Sequence, residues 1–98
     1  MRHHRLTDME SGWFVGSFEP TLLKTEEVEI GVKRYKAGEY DAVHFHKIAT
    51  EITVIIEGLV EMNGVRYCAD DIITIEPGES TDFTAITDAA TVVCKRAN

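Results

Sequence analysis

The sequence predicts an all-β domain, a barrel or jelly roll, and three observations carry that expectation. Apolar residues almost nowhere keep a 3.6-residue period over three turns; short β-rich runs recur instead, about every eight to twelve positions. Turn-forming pairs separate them. Asn63-Gly64 suits a two-residue hairpin, whose type I′ turn needs positive φ at both central positions, and Pro77-Gly78 suits the centre of a type II turn. The chain has 98 residues with no internal repeat, low-complexity segment or linker, which is one domain.

Residues 1–27, with Trp13, Phe14, Phe18, Leu22 and Leu23, read as a segment that packs on the barrel or on a partner subunit, and 28–98 as the barrel. In the first run Val28, Ile30 and Val32 alternate with Glu29, Gly31 and Lys33, the period of a strand. Further strands are expected over 42–46, 51–57, 59–62, 65–68, 72–75, 81–86 and 91–95, with Gly38 and Gly58 punctuating two strand ends. The run 51–57 has an unusual pattern. One face carries Glu51, Thr53 and Ile55, and the other carries Ile52, Val54 and Ile56, so apolar residues fall on both. Something must cover the outside; the N-terminal segment could do so, from the same subunit or from a neighbour, and a homodimer is expected.

Ten basic against 17 acidic residues give a net charge of −7 with histidines neutral. Basic residues cluster only in the first five positions and at Lys33, Arg34 and Lys36, so nucleic acid is not an expected partner. No apolar run approaches the roughly 20 residues of a membrane span, and Met1 to Arg5 open no signal-peptide stretch; a cytoplasmic protein without a membrane partner is expected. Cys68 and Cys94 have no CxxC spacing and read as reduced residues on strands.

The chemistry concentrates between Gly38 and Gly58. His44 and His46 are two apart, so on a strand both imidazoles share a face, and Glu51 opens the next strand where its carboxylate can meet the same space. Two imidazoles and a carboxylate inside a barrel form a ligand set for a divalent metal such as Fe, Mn, Ni or Zn. An HxH pair alone is more often ordinary surface or core histidine; the glutamate at this spacing in a β-rich chain is what shifts the balance.

Gly38, His44, His46, Glu51 and Gly58 together resemble the first conserved motif of the cupin superfamily, with no insertion. That resemblance implies a double-stranded β-helix, or jelly-roll barrel, with a metal at its centre held by His44, His46 and Glu51. The second cupin motif aligns with 70–85 and departs from the pattern. Gly78 is kept, but Asp70 stands where glycine is usual, Glu76 where the first proline is usual, Ala85 where asparagine is usual, and Thr81 where the third histidine ligand is usual.

Three readings follow. A two-histidine, one-carboxylate set could bind metal, Fe(II) being favoured, with Thr81 orienting a bound water. The barrel could instead hold a small molecule by hydrogen bonds around a degenerate or empty metal site. Or another residue could complete the shell: Asp82, which would need a bulge to reach inward, or His3 or His4 from the tail. Tyr35, Tyr40 and Phe83 are candidates for the pocket mouth, with core packing an equal alternative, and Trp13 for a lid or interface. The string around the first motif is also similar to small stand-alone cupins, some of which accompany sugar-nucleotide and polysaccharide biosynthesis genes. The expected function is a single-domain cupin binding a divalent metal and a small-molecule ligand, a sugar or organic acid, with metal-assisted turnover; the alternative is a non-catalytic binder.

Overall fold

The computed structural model describes residues 1–44 and 49–97, with His44 and Ala97 described by their backbone only. Nine strands form two antiparallel sheets among these residues: β1 Trp13–Val15, β2 Val28–Tyr35, β3 Tyr40–His44, β4 Ala49–Glu57, β5 Leu59–Met62, β6 Val65–Cys68, β7 Ile72–Ile75, β8 Thr81–Ala85 and β9 Ala89–Ala97. One sheet has the order β1-β2-β9-β4-β7 and the other β3-β8-β5-β6. From β4 onward the chain shuttles between the sheets, as a jelly roll does. The architecture is thus two facing antiparallel sheets. No described helix is long and apolar enough to cross a membrane.

The turns behave as their residues dictate. Asn63 and Gly64 take φ of 50° and 80° at the β5–β6 hairpin, and Gly78 takes 85° between β7 and β8. Gly58 is required twice over. Its φ is 91°, and a Cβ there would lie 2.2 Å from the Asp88 carbonyl oxygen, so no other residue lets β4 cross into β5 this tightly. Asp70, at a position that cupins usually fill with glycine, takes φ of 79°. Its N–H donates to the Ile55 carbonyl at 2.8 Å, which fixes the left-handed turn leading into β7.

The core lies between the sheets, where Ile55, Val60, Met62, Ile75, Phe83, Ala85 and Ala89 pack together with Tyr35, Tyr67 and Ile73 against them. Strand alternation decides which side chains enter it. In β4, Glu51, Thr53 and Ile55 are buried, while Ile52 and Ile56 stay 41% and 53% exposed.

Two strand features were not foreseen. Residues 13–15 join β2 as a short edge strand with a register shift at Trp13/Val15, which their unpatterned surroundings do not announce. The N-terminal segment also does not reach the outside of β4. Trp13 pairs with Gly31 and lies on the inner side of the sheet, its ring so close that a Gly31 Cβ would meet Cε3 at 2.7 Å. On the outer face of β4, Ile52 and Ile56 stay exposed and Val54 is half-buried. Cys68 is exposed, Cys94 is half-buried, and both are free thiols.

Candidate functional site

A cavity of about 410 Å³ opens between the two sheets, and strand phase explains its lining. Glu51 and Thr53 of β4 point inward; in β9 the residues in phase with them are Thr91, Val93 and Lys95, and in β2 they are Gly31, Lys33 and Tyr35. The opposite sheet contributes Asp41, Met62, Thr81 and Phe83. Trp13 closes one side.

Glu51 is 8% exposed and accepts a hydrogen bond from the Thr53 hydroxyl at 3.2 Å. The structure thus places this carboxylate where the sequence predicts it, on the inner face and buried. His44 sits directly across from Thr81 in the β3–β8 register. The first histidine of the pair and the position of the usual third histidine are therefore backbone neighbours. The His44 imidazole and all of His46 lie outside the described residues. Thr81 is 5% exposed, and its hydroxyl donates to the Asp82 carbonyl at 2.9 Å.

Donor chemistry tests whether these residues fit a metal. Glu51 offers a buried anionic oxygen, a sound ligand for a divalent cation, but Thr81 offers only a neutral hydroxyl committed to a backbone carbonyl. The set fits three donors at most. Among the described residues no group of three His, Cys, Asp or Glu side chains is placed to hold a metal ion. Asp82 does not complete the shell: its carboxylate accepts the Asn63 N–H at 2.7 Å on the far side of β8. Nor do His3 and His4, which line a separate, larger cleft of about 760 Å³ against Val32, Lys33 and Arg34.

Of the three aromatic candidates, two belong to the cavity. Tyr35 and Phe83 stack with ring centroids 4.5 Å apart, and the Tyr35 hydroxyl donates to Asp41 Oδ2 at 3.2 Å. Burial, then the Asp41 charge and hydrogen bond, push the Tyr35 phenol well above its usual range, so it remains a proton donor. Tyr40 lies elsewhere. It is one residue out of phase with Asp41, is 70% exposed, and does not line the cavity.

Sequence reasoning did not single out Lys33, Asp41, Thr91 or Lys95 as cavity residues. Their signal was available only through pairing: once β9 is set antiparallel to β4, Lys95 lies opposite Glu51 and Thr91 opposite Ile55. Lys33 and Lys95 both direct their ammonium groups at Trp13, at 5.4 and 5.1 Å from the ring centroid.

No protein-family model matches the chain, and no curated protein matches it in sequence. Solved structures do match in shape. An uncharacterised conserved protein with a double-stranded β-helix domain from Klebsiella pneumoniae subsp. pneumoniae MGH 78578 aligns with a TM-score of 0.70 at 22% identity, over 78% of this chain and 68% of that one. An RmlC-like cupin from Shewanella frigidimarina NCIMB 400 gives a TM-score of 0.68 at 18% identity, over 74% and 68%. The KdgF protein from Halomonas sp. gives 0.68 at 16% identity, over 76% and 73%. The chain has the double-stranded β-helix fold. Among proteins of that architecture it is similar to the cupins, as its first motif implies.

Proposed function

We propose that the protein is a small single-domain cupin that binds a small polar molecule in the cavity between its sheets. Residues 28–98 are read as the two walls of the jelly-roll barrel and 1–27 as a segment packed along its edge. The observation that carries this reading is Thr81, a neutral hydroxyl bonded to Asp82 at the position where a metal-loaded cupin has its third imidazole. Around it the cavity presents hydroxyls, carboxylates and ammonium groups that can bind a ligand without a metal.

Buried Glu51 favours a second reading, metal-assisted turnover of a sugar or organic acid, in which His44, His46 and Glu51 would hold a divalent ion. Such an ion would polarise a substrate oxygen or activate a water. Tyr35, kept protonated, would donate a hydrogen bond to a substrate oxygen at the mouth. Elemental analysis of untagged protein prepared without chelators, beside His46→Ala, separates the two. Substoichiometric metal in both supports metal-free binding; stoichiometric metal lost in the variant establishes the second reading.

We also infer a homodimer formed through the outer face of the five-stranded sheet. There Ile30, Cys94 and Ile52 form one row and Val32, Val92, Val54 and Ile72 the next, an apolar strip across four strands. With strands about 4.8 Å apart and about 3.4 Å per residue, the strip covers roughly 260 Å². That is about a third of the roughly 800 Å² per partner a stable interface needs, and a polar rim can supply the rest. The strip is uncharged, and exposed Arg34 and Glu57 near one end and Arg96 and Glu76 near the other give a rim of mixed sign at both. A second copy of a chain carrying net charge −7 therefore meets no like-charge barrier on this face. Sedimentation at tens of micromolar should give a dimer, and Ile52→Lys with Ile72→Lys a monomer; a wild-type monomer overturns the inference.

A further inference from the structure

We infer that the cavity is built for a small organic anion, a hydroxylated carboxylate, whose negative group is bound by Lys33 and Lys95. This rests on the small-molecule reading above and names its ligand class. Two ammonium groups from separate strands, β2 and β9, lie against one indole that itself lines the cavity. The ion pairs of the described residues, Lys24 with Glu19 and Arg66 with Glu61, involve neither lysine. Lys95 is flanked in register by Glu29 and Glu51, yet its ammonium is directed at the ring. Both cations thus keep N–H donors available in a partly enclosed site, where a carboxylate is bound more strongly than in water.

A second, independent observation comes from the cavity wall. Thr91 is 1% exposed and lines the cavity, and its hydroxyl oxygen has no hydrogen-bond partner. A buried hydroxyl left unpaired carries a desolvation cost that a ligand's polar group would relieve. Lys33 is its cross-strand neighbour, so that polar group and the anion belong to the same ligand. The carboxylates facing the cavity also accept hydrogen bonds from within the chain, Asp41 from Tyr35 and Glu51 from Thr53. They can still accept hydrogen bonds from ligand hydroxyls. Cations and acceptors lining one cavity match a molecule that carries both a carboxylate and hydroxyls.

Calorimetric titration of the full chain with matched probes tests this: D-galacturonate against D-galactose, and D-gluconate against D-glucitol. The expected result is that at least one carboxylate binds ten times or more tighter than its neutral partner. Lys33→Gln and Lys95→Gln should each weaken it about tenfold, the scale of one charge-assisted hydrogen bond, with melting temperature checked alongside. Lys95→Arg should restore binding, and Lys24→Gln, on the surface, should leave it unchanged. Equal binding of neutral and anionic partners, or lysine variants that keep wild-type affinity, overturns the anion site and leaves the small-molecule reading standing. Failure of every probe to bind folded protein overturns both.

Discussion

The two faces of the five-stranded sheet invert the usual distribution of polarity. The inner face carries Lys33, Glu51, Thr53, Thr91 and Lys95 among its apolar residues, and it encloses a cavity. The outer face carries Ile30, Val32, Ile52, Val54, Ile72, Val92 and Cys94 in adjacent rows. A sheet with one face on a core and one in water should alternate the other way. The inversion follows what each face is proposed to meet, a polar ligand within and another protein without. Ile55 and Ile56 make the contrast at adjacent positions: the first is fully buried in the core, the second 53% exposed.

The largest effect should come from that pair. Ile55→Ala should cost about 3 kcal/mol in urea unfolding, the lost burial plus a cavity, whereas Ile56→Ala in dilute protein should cost under about 1 kcal/mol. Equal costs would mean that the outer face is already covered within one chain. Gly58→Ala should cost about 2 kcal/mol or more, because it meets both a positive φ and the Asp88 carbonyl. Gly38→Ala, with the same sign of φ but open space around it, should cost only about 1 kcal/mol.

A pH titration sharpens the inner half of the comparison. The Tyr35 phenol ionises above its unfolded value of about 10, so the folded state holds its proton where the unfolded chain loses it. Stability should be indifferent to this group below pH 10 and fall as pH rises beyond it. Tyr35→Phe should flatten that alkaline limb in denaturant melts; an unchanged limb would place the phenol in contact with water. The smallest effect is a gain. Asp70→Gly relieves a side chain held at φ of 79° and should add about 0.5–1 kcal/mol, raising the melting temperature by a few degrees.

Eight of the nine strands were legible because alternation and turn chemistry are local. Val28, Ile30 and Val32 specify a strand by spacing alone, and Asn63-Gly64 specifies the hairpin that follows β5. β1 was not legible, because three residues beside a register shift carry no period. In the site, Glu51 could be placed inward from its own strand. Lys33, Thr91 and Lys95 could not, since they join Glu51 only through pairings among β2, β4 and β9, and no sequence pattern states which strands are neighbours. Trp13 could be read as a lid, but its partners, two lysines and Gly31, come from long-range register. Tyr40, named only for standing near the first motif, begins β3 with its side chain 70% exposed, a phase that its neighbours in sequence do not state.

The short β7 at the sheet's edge bears on how far assembly can go. Its four residues, Ile72–Ile75, are hydrogen-bonded to β4 on one side and pair with no other strand among the described residues. Asp70 and Asp71 precede it, and Glu76 and Pro77 follow it. Negative charge at both ends repels an incoming strand, and the proline ends the ladder where a donor would be needed. The β7 margin is thereby a poor template for an incoming strand, which favours the flat of the sheet, the face of the proposed dimer, for self-association.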